Sequence, residues 1–133
     1  MPASEEIVHS GYLYMSTQFD GFYAGYLSSI SENALTLLIF KSGVVAGTDG
    51  SADYDGAYKL ITLNQTISLN INVFVHQSGT TILGQTVGPE GLRFTVDIHL
   101  PTDFMVRDFI EIKTQFGPIN ARFKKIRNLG SLE

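Results

Sequence analysis

The chain has 133 residues, 44% hydrophobic and 17% charged, with a net charge of −4. Such a length gives one domain with enough apolar material for a core, and the composition excludes disorder as the main state. The chain has no cysteine, which removes disulfides, thiolate catalysis and cysteine-based zinc sites.

The acidic balance leaves no global electrostatic footprint for nucleic acid, so none is expected as a partner. No apolar run reaches the roughly 18–20 residues of a membrane-spanning helix, so no membrane span is expected. The opening Met1-Pro2-Ala3-Ser4-Glu5-Glu6 lacks the apolar stretch of a secretory signal, and the expected location is cytoplasmic.

Residues 1–19 read as an N-terminal extension. Either Ser4-Glu5-Glu6-Ile7-Val8 begins a short helix or Gly11–Phe19 forms an extra strand. Aromatic residues crowd the stretch around the domain's start: Tyr12, Tyr14, Phe19, Phe22, Tyr23 and Tyr26. They serve either barrel and rim packing or a partner surface, because Tyr and Phe are favoured in interface cores.

From residue 20 the chain reads as β-structure. Lys41-Ser42-Gly43 separates the apolar run Leu35–Phe40 from Val44-Val45-Ala46 and predicts a hairpin. Asp49-Gly50 and Asp55-Gly56 bracket an acidic corner with Asp53 between them. Its oxygens suit calcium, but the spacing is not that of an EF-hand loop, and a solvated turn is the simpler reading. Asn64-Gln65 then marks a turn before a long alternating strand. Ile67, Leu69, Ile71, Val73 and Val75 share its apolar face; Thr66, Ser68, Asn70, Asn72 and His76 share the other, with Phe74 as the apolar exception. Gly88-Pro89-Glu90-Gly91 is a second turn. After it Leu92, Phe94, Val96, Ile98 and Leu100 face one way, opposite Arg93, Thr95, Asp97 and His99.

Beyond Pro101, Phe109–Phe116 and Ile119–Ile126 suit a hairpin across Gly117-Pro118. The basic cluster Arg122, Lys124, Lys125 and Arg127 reads most simply as an edge strand whose charges block sheet-to-sheet aggregation. Holding phosphate, as in a nucleic-acid groove, and docking an acidic partner are the other two readings. Residues 128–133 form a tail.

One-sided strands separated by frequent turns predict an all-β fold, an antiparallel closed barrel of about eight strands over residues 20–127. Its interior is then either a packed core or an apolar ligand cavity. The candidate cavity residues are Ile67, Leu69, Ile71, Val73, Val75, Leu92, Phe94, Val96 and Ile98. The candidate partner surface comprises Asp49, Asp53, Asp55, Phe22, Tyr23 and Tyr26.

Catalytic signatures are missing: there is no Gly-x-Ser-x-Gly elbow, phosphate-binding loop or dinucleotide fingerprint. His76 and His99 fall on polar strand faces, so no catalytic residue, metal or cofactor is expected.

Three stretches carry a family resemblance. They are Asp20-Gly21-Phe22-Tyr23, the run from Leu38 through Lys41-Ser42-Gly43 to Asp49, and Tyr54-Asp55-Gly56-Ala57-Tyr58, followed later by Gly91-Leu92-Arg93-Phe94. Together they resemble the GrlR-like family of type III secretion negative regulators, over about residues 20–100. The resemblance implies a lipocalin-like barrel with an apolar cavity, a homodimer, and regulation by protein contact rather than catalysis. The family's acidic activator-binding loop is replaced here by Lys59-Leu60-Ile61-Thr62-Leu63-Asn64, so that site does not carry over. Relative to the family pattern, about residues 105–130 read as an extension. The alternative function is a carrier or sensor of a small apolar ligand or lipid inside the barrel.

Overall fold

The computed structural model describes residues 18–30, 32–76, 79–82 and 85–129. The helix or strand expected within residues 4–19 therefore lies almost wholly outside the described residues.

Among the described residues ten strands follow in chain order: β1 (Gly21–Ser28), β2 (Asn33–Lys41), β3 (Val44–Thr48), β4 (Ala52–Ile61), β5 (Thr66–Val75), β6 (Gly79–Thr80), β7 (Thr86–Val87), β8 (Leu92–Pro101), β9 (Ile110–Thr114) and β10 (Gly117–Arg127). Eight of them form one antiparallel sheet in the order β9-β10-β1-β2-β3-β4-β5-β8, while β6 and β7 pair in a small separate hairpin. Every neighbouring pair in the large sheet is antiparallel, as the one-sided alternation requires.

The sheet curls until its two edge strands, β8 and β9, approach each other, giving a nearly closed barrel. Among the described residues the seam has no ladder of backbone hydrogen bonds. Side chains cross it instead: Gln115 Nε2 donates to the Thr95 carbonyl at 2.6 Å, and Phe94 meets Phe116 edge-on at 5.1 Å.

Turn chemistry sets the strand boundaries. Between β2 and β3, Ser42 and Gly43 both take positive φ, 50° and 87°, the geometry of a two-residue hairpin turn whose twist matches its strands. The turn is held to the start of the barrel by Asp20, whose Oδ1 accepts the Ser42 N–H at 2.9 Å. At Gly56 a Cβ would lie 2.0 Å from the Asn70 carbonyl oxygen, so only glycine lets β4 and β5 approach this closely.

The C-terminal region departs from the sequence reading in two ways. The turn of the last hairpin falls on Gln115-Phe116, two residues before Gly117-Pro118, which lie within β10. β10 is not an edge strand, because it is hydrogen-bonded to β9 on one side and β1 on the other. Its charges therefore do not guard an open edge. β9 and β10 supply two of the barrel's staves.

One end of the barrel is filled by a cluster of rings. Phe104, on a single 3-10 turn (Phe104–Val106), stacks on Phe40 at 5.8 Å and meets Phe19, Tyr23 and Phe123 within 6.2 Å. Phe19, Tyr23, Phe40 and Phe104 are all essentially solvent-free. Phe19, assigned on sequence to the N-terminal extension, thus belongs to the barrel's core. Ring edges and faces packed at these separations add to the area they bury. We expect Phe104→Ala to destabilise the protein by about 3–5 kcal/mol, the usual cost of emptying a ring-sized core site. Equilibrium urea unfolding measures it, and a loss below about 1 kcal/mol would show that the ring cluster is not the keystone of this end.

Candidate functional site

Above that aromatic floor the barrel is hollow. The cavity measures about 580 Å³, within the roughly 300–1,000 Å³ of small-molecule sites. Alternation along β5 and β8 builds one wall, with Leu69, Ile71, Val73 and Val75 facing Phe94, Val96 and Ile98. The opposite wall comes from β2, β9 and β10, through Leu38, Phe40, Ile112, Ile119 and Phe123. Medium-sized aliphatic side chains dominate both walls, and they do not reach far enough to meet across the interior.

Two of the candidate cavity residues lie elsewhere on the same inward faces. Ile67 is completely buried in the core near the floor, one step below Leu69. Leu92 packs at the opposite end against Ala52, Val75 and Val87. The wall residues of β2, β9 and β10 were missed on sequence. The apolar run Leu35–Phe40 hides its period because odd and even positions are both largely apolar.

The mouth lies at the end where β1 passes to β2, β3 to β4, and β9 to β10. Polar groups gather there: Glu32, Asn33, Asp49, Ser51, Thr81 and Thr114 border the cavity. Asp49 is held by its own turn. Its Oδ1 accepts from Ser51 N, Ser51 Oγ and Ala52 N at 3.0, 3.1 and 2.8 Å, and its Oδ2 accepts from the Tyr54 hydroxyl at 2.5 Å. Oδ1 thus takes three donors and Oδ2 one, which leaves Oδ2 the less engaged oxygen. Deeper in, Thr36 is the buried polar residue of the wall, and its hydroxyl donates to the Thr48 carbonyl at 3.4 Å. The charged residues on the described lining are Glu32 and Asp49; no Lys, Arg or His is among them.

The acidic residues grouped on sequence are split by the fold. Asp49 turns to the mouth, whereas Asp53 and Asp55 project from β4 on the outer face. There Asp53 faces His76 Nε2 at 3.5 Å, and Asp55 accepts from Asn72 Nδ2 at 3.1 Å. Among the described residues no group of three or more His, Cys, Asp or Glu side chains is placed to hold a metal ion. Tyr26 is exposed on the outer face of β1 and Phe22 half-buried there. Tyr23 is not available to a partner: it has no exposed surface, and its hydroxyl donates to the Phe19 carbonyl at 2.7 Å. The parity of β1 turns Tyr23 inward between its two outward neighbours, Phe22 and Ala24. His99, Asp97 and Glu111 are exposed on their strands.

No protein-family model matches the chain, and no curated protein matches it. Among the described residues no helix is long and apolar enough to cross a membrane.

Three tyrosines are held in their neutral form. Burial pushes up the Tyr54 hydroxyl, and its hydrogen bond to the Asp49 carboxylate adds to the effect. Burial does the same for Tyr23, followed by the proximity of Tyr58 and Asp20. Tyr58 is raised by burial, with Asp20 again contributing. A tyrosine whose folded pKa lies above its unfolded value of about 10 stabilises the fold fully below that pH, and the contribution is lost as pH rises through the folded pKa. Native protein just above pH 10 should therefore show less tyrosinate absorbance than the urea-unfolded chain at the same pH. Equal absorbance, with the fold intact by circular dichroism, would contradict this placement of the hydroxyls.

Proposed function

We propose that the protein is a non-enzymatic binding protein that holds a small apolar molecule inside the barrel, as a carrier or sensor. The observation that carries this reading is the cavity: about 580 Å³ enclosed by aliphatic and aromatic walls, floored by rings and edged with polar groups at one end. An apolar chain or ring system removed from water gains roughly 0.8 kcal/mol per buried methylene, and walls already built by the fold reduce the ordering cost of binding.

The mouth sets the expected polarity of the guest. Two carboxylates and no cation on the described lining disfavour an anionic head group such as that of a fatty acid. A like charge a few ångströms away costs on the order of 1–4 kcal/mol at the effective dielectric of a protein surface. An amine or hydroxyl can instead donate to Asp49 Oδ2 or pair with Thr36 while its chain lies below. The ligand class is thus an apolar body bearing a neutral or cationic hydrogen-bond donor.

A second reading, regulation of a partner by protein contact, is supported by exposed apolar side chains on the barrel's outer face, such as Leu35 and Leu37.

Matched probes test the first reading. In calorimetric titrations decylamine and decanol should bind, and decanoate should bind at least about tenfold more weakly, a difference of 1.4 kcal/mol or more. Ile98→Trp, which places a large ring in the cavity, should abolish decylamine binding while leaving the far-ultraviolet circular dichroism unchanged. That variant separates cavity binding from attraction of a cation to an acidic surface. Failure of all three probes to bind would remove the carrier reading; preferred binding of decanoate would remove the head-group assignment alone.

A further inference from the structure

The ionised side chains are not spread evenly round the barrel. The whole chain is acidic, with 13 Asp and Glu against 9 Lys and Arg. Yet three adjacent strands, β10, β1 and β2, hold Lys41, Arg122, Lys124, Lys125 and Arg127 and no acid. Among the described residues none of these five cations is in an ion pair. Of the nearby acids, Glu32 borders the mouth, and Asp20 has its Oδ1 taken by the Ser42 N–H and the Tyr58 hydroxyl. β9 carries one charge of each sign, Glu111 and Lys113, and β3 carries none. Asp53, Asp55 and Lys59 stand on β4, three strands from β1 and so roughly 135° round an eight-stranded barrel.

The same sector exposes apolar surface. Antiparallel register sets its outward residues in rows: Arg127, Phe22 and Ile39; then Lys124, Ala24 and Leu37; then Arg122, Tyr26 and Leu35. A shift of register between Lys125 and Arg127 brings Arg127, rather than Ile126, level with Phe22. Each row thus runs from a cation on β10, through β1, to an aliphatic residue on β2. Lys41 closes the floor end of β2. Tyr26, Leu35, Leu37 and Ile39 are between 38% and 52% exposed. Singly exposed apolar residues are ordinary, but a contiguous patch rimmed by charge marks an interaction site.

We infer that this sector docks on the surface of an anionic lipid bilayer, with β1 as its crest. Charge complementarity selects the occupant. Unpaired cations without an accompanying acid suit a surface that is negative throughout, whereas a second copy laid on the same sector would set cations against cations. Shape agrees: the barrel wall is convex and offers no groove to a peptide, but a bilayer yields to a convex crest. Peripheral proteins hold such surfaces by burying apolar side chains at the acyl boundary while Lys and Arg meet the head groups. Here Phe22, Leu37 and Ile39 supply the apolar part, and the long stems of Arg122, Lys124 and Arg127 reach back to the phosphates. Arg122 already lies over the Tyr26 ring, 5.0 Å from its centre, and an amphipathic ring of that kind suits the head-group level. Contact along β1 leaves Asp53 and Asp55 turned away from the lipid.

Co-sedimentation of the full chain with large vesicles tests the inference. Vesicles of phosphatidylcholine with one-third phosphatidylserine should bind the chain at least about tenfold more tightly than vesicles of phosphatidylcholine alone. Salt at about 0.5 M should release most of it, because the head-group contacts are screened. Each cation at such a surface counts for about fivefold in affinity, so R122E with K124E should weaken binding by more than about tenfold. Leu37→Asp should weaken it by at least about fivefold, since a charge then enters the acyl boundary. Arg93→Glu, which removes a cation from β8 on another wall, should leave binding unchanged. Circular dichroism should show the same barrel in every variant. Failure to bind the anionic vesicles overturns the inference, whether the sector then proves to hold an acidic protein, a second copy of the chain or nothing. A loss from Arg93→Glu equal to that from R122E with K124E overturns the choice of face, and indifference to Leu37→Asp overturns the insertion of its apolar side chains. None of these residues lines the cavity, so failure here leaves the ligand reading standing.

Discussion

The diameter of a β-barrel is set by the number of its strands and their tilt, not by the side chains it encloses. Eight strands create an interior that large inward side chains can fill and medium ones cannot. Here the two kinds are divided along the barrel axis. Phenylalanine and tyrosine occupy one end, where Phe19, Tyr23, Phe40, Tyr58 and Phe104 meet ring to ring. Leucine, isoleucine and valine line most of the rest, with Tyr54 and Phe94 among them. The floor is thus solid and the space above it open, and both follow from side-chain volume at inward positions. The floor also holds the wall: Phe104 enters from the turn after β8, next to the seam where the two edge strands share no ladder. Contacts from Phe104, Gln115 and Phe116 do the work that hydrogen bonds do elsewhere in the sheet.

Because inward and outward positions alternate, a strand that is apolar on both sides must serve two surfaces. β2 is that strand. Thr36, Leu38 and Phe40 face the interior; Leu35, Leu37 and Ile39 face out. Strands that read as continuous apolar runs are usually covered on both faces. Among the described residues of one chain, the outward side of β2 is left partly open. β5 and β8 show the opposite design: outward Asn70 donates to Asp97, and Thr95 donates to Asn72, so polar pairs cross that wall and its outer face suits water.

Much of the architecture was legible because period-2 alternation is a local property. β5 and β8 could be read residue by residue, and the Ser42-Gly43 turn follows from the residues that tolerate positive φ. Tyr23 shows where local reading stops. Aromatic content alone did not separate it from Phe22 and Tyr26, since β1 is interrupted by glycine and alanine and its parity is set by pairing with β2. Asp49 was likewise grouped with Asp53 and Asp55 by proximity in sequence, although the corner between β3 and β4 sends it to the mouth. The basic cluster was misplaced at an edge because strand order is a long-range property: β10 closes on β1, and no short window of sequence contains that contact. Whether the interior is filled is also non-local, being the sum of side-chain volumes from all the staves.

The two proposed binding surfaces share one strand as their common wall. A ligand against Leu38 and Phe40 and a partner against Leu37 and Ile39 would press on the two sides of β2, whose backbone cannot shift on one side without carrying the other. Adjacent residues on a strand project in opposite directions but share a peptide plane. If filling the cavity straightens or fixes β2, it changes the shape of the outer apolar face by the same movement. The coupling free energy is then a single quantity. Whatever factor the guest applies to partner binding, partner binding applies to the affinity for the guest. A carrier with rigid walls would have a factor of one; a sensor needs a factor different from one. The distinction between those two roles therefore resides in the stiffness of β2, not in the chemistry of either surface.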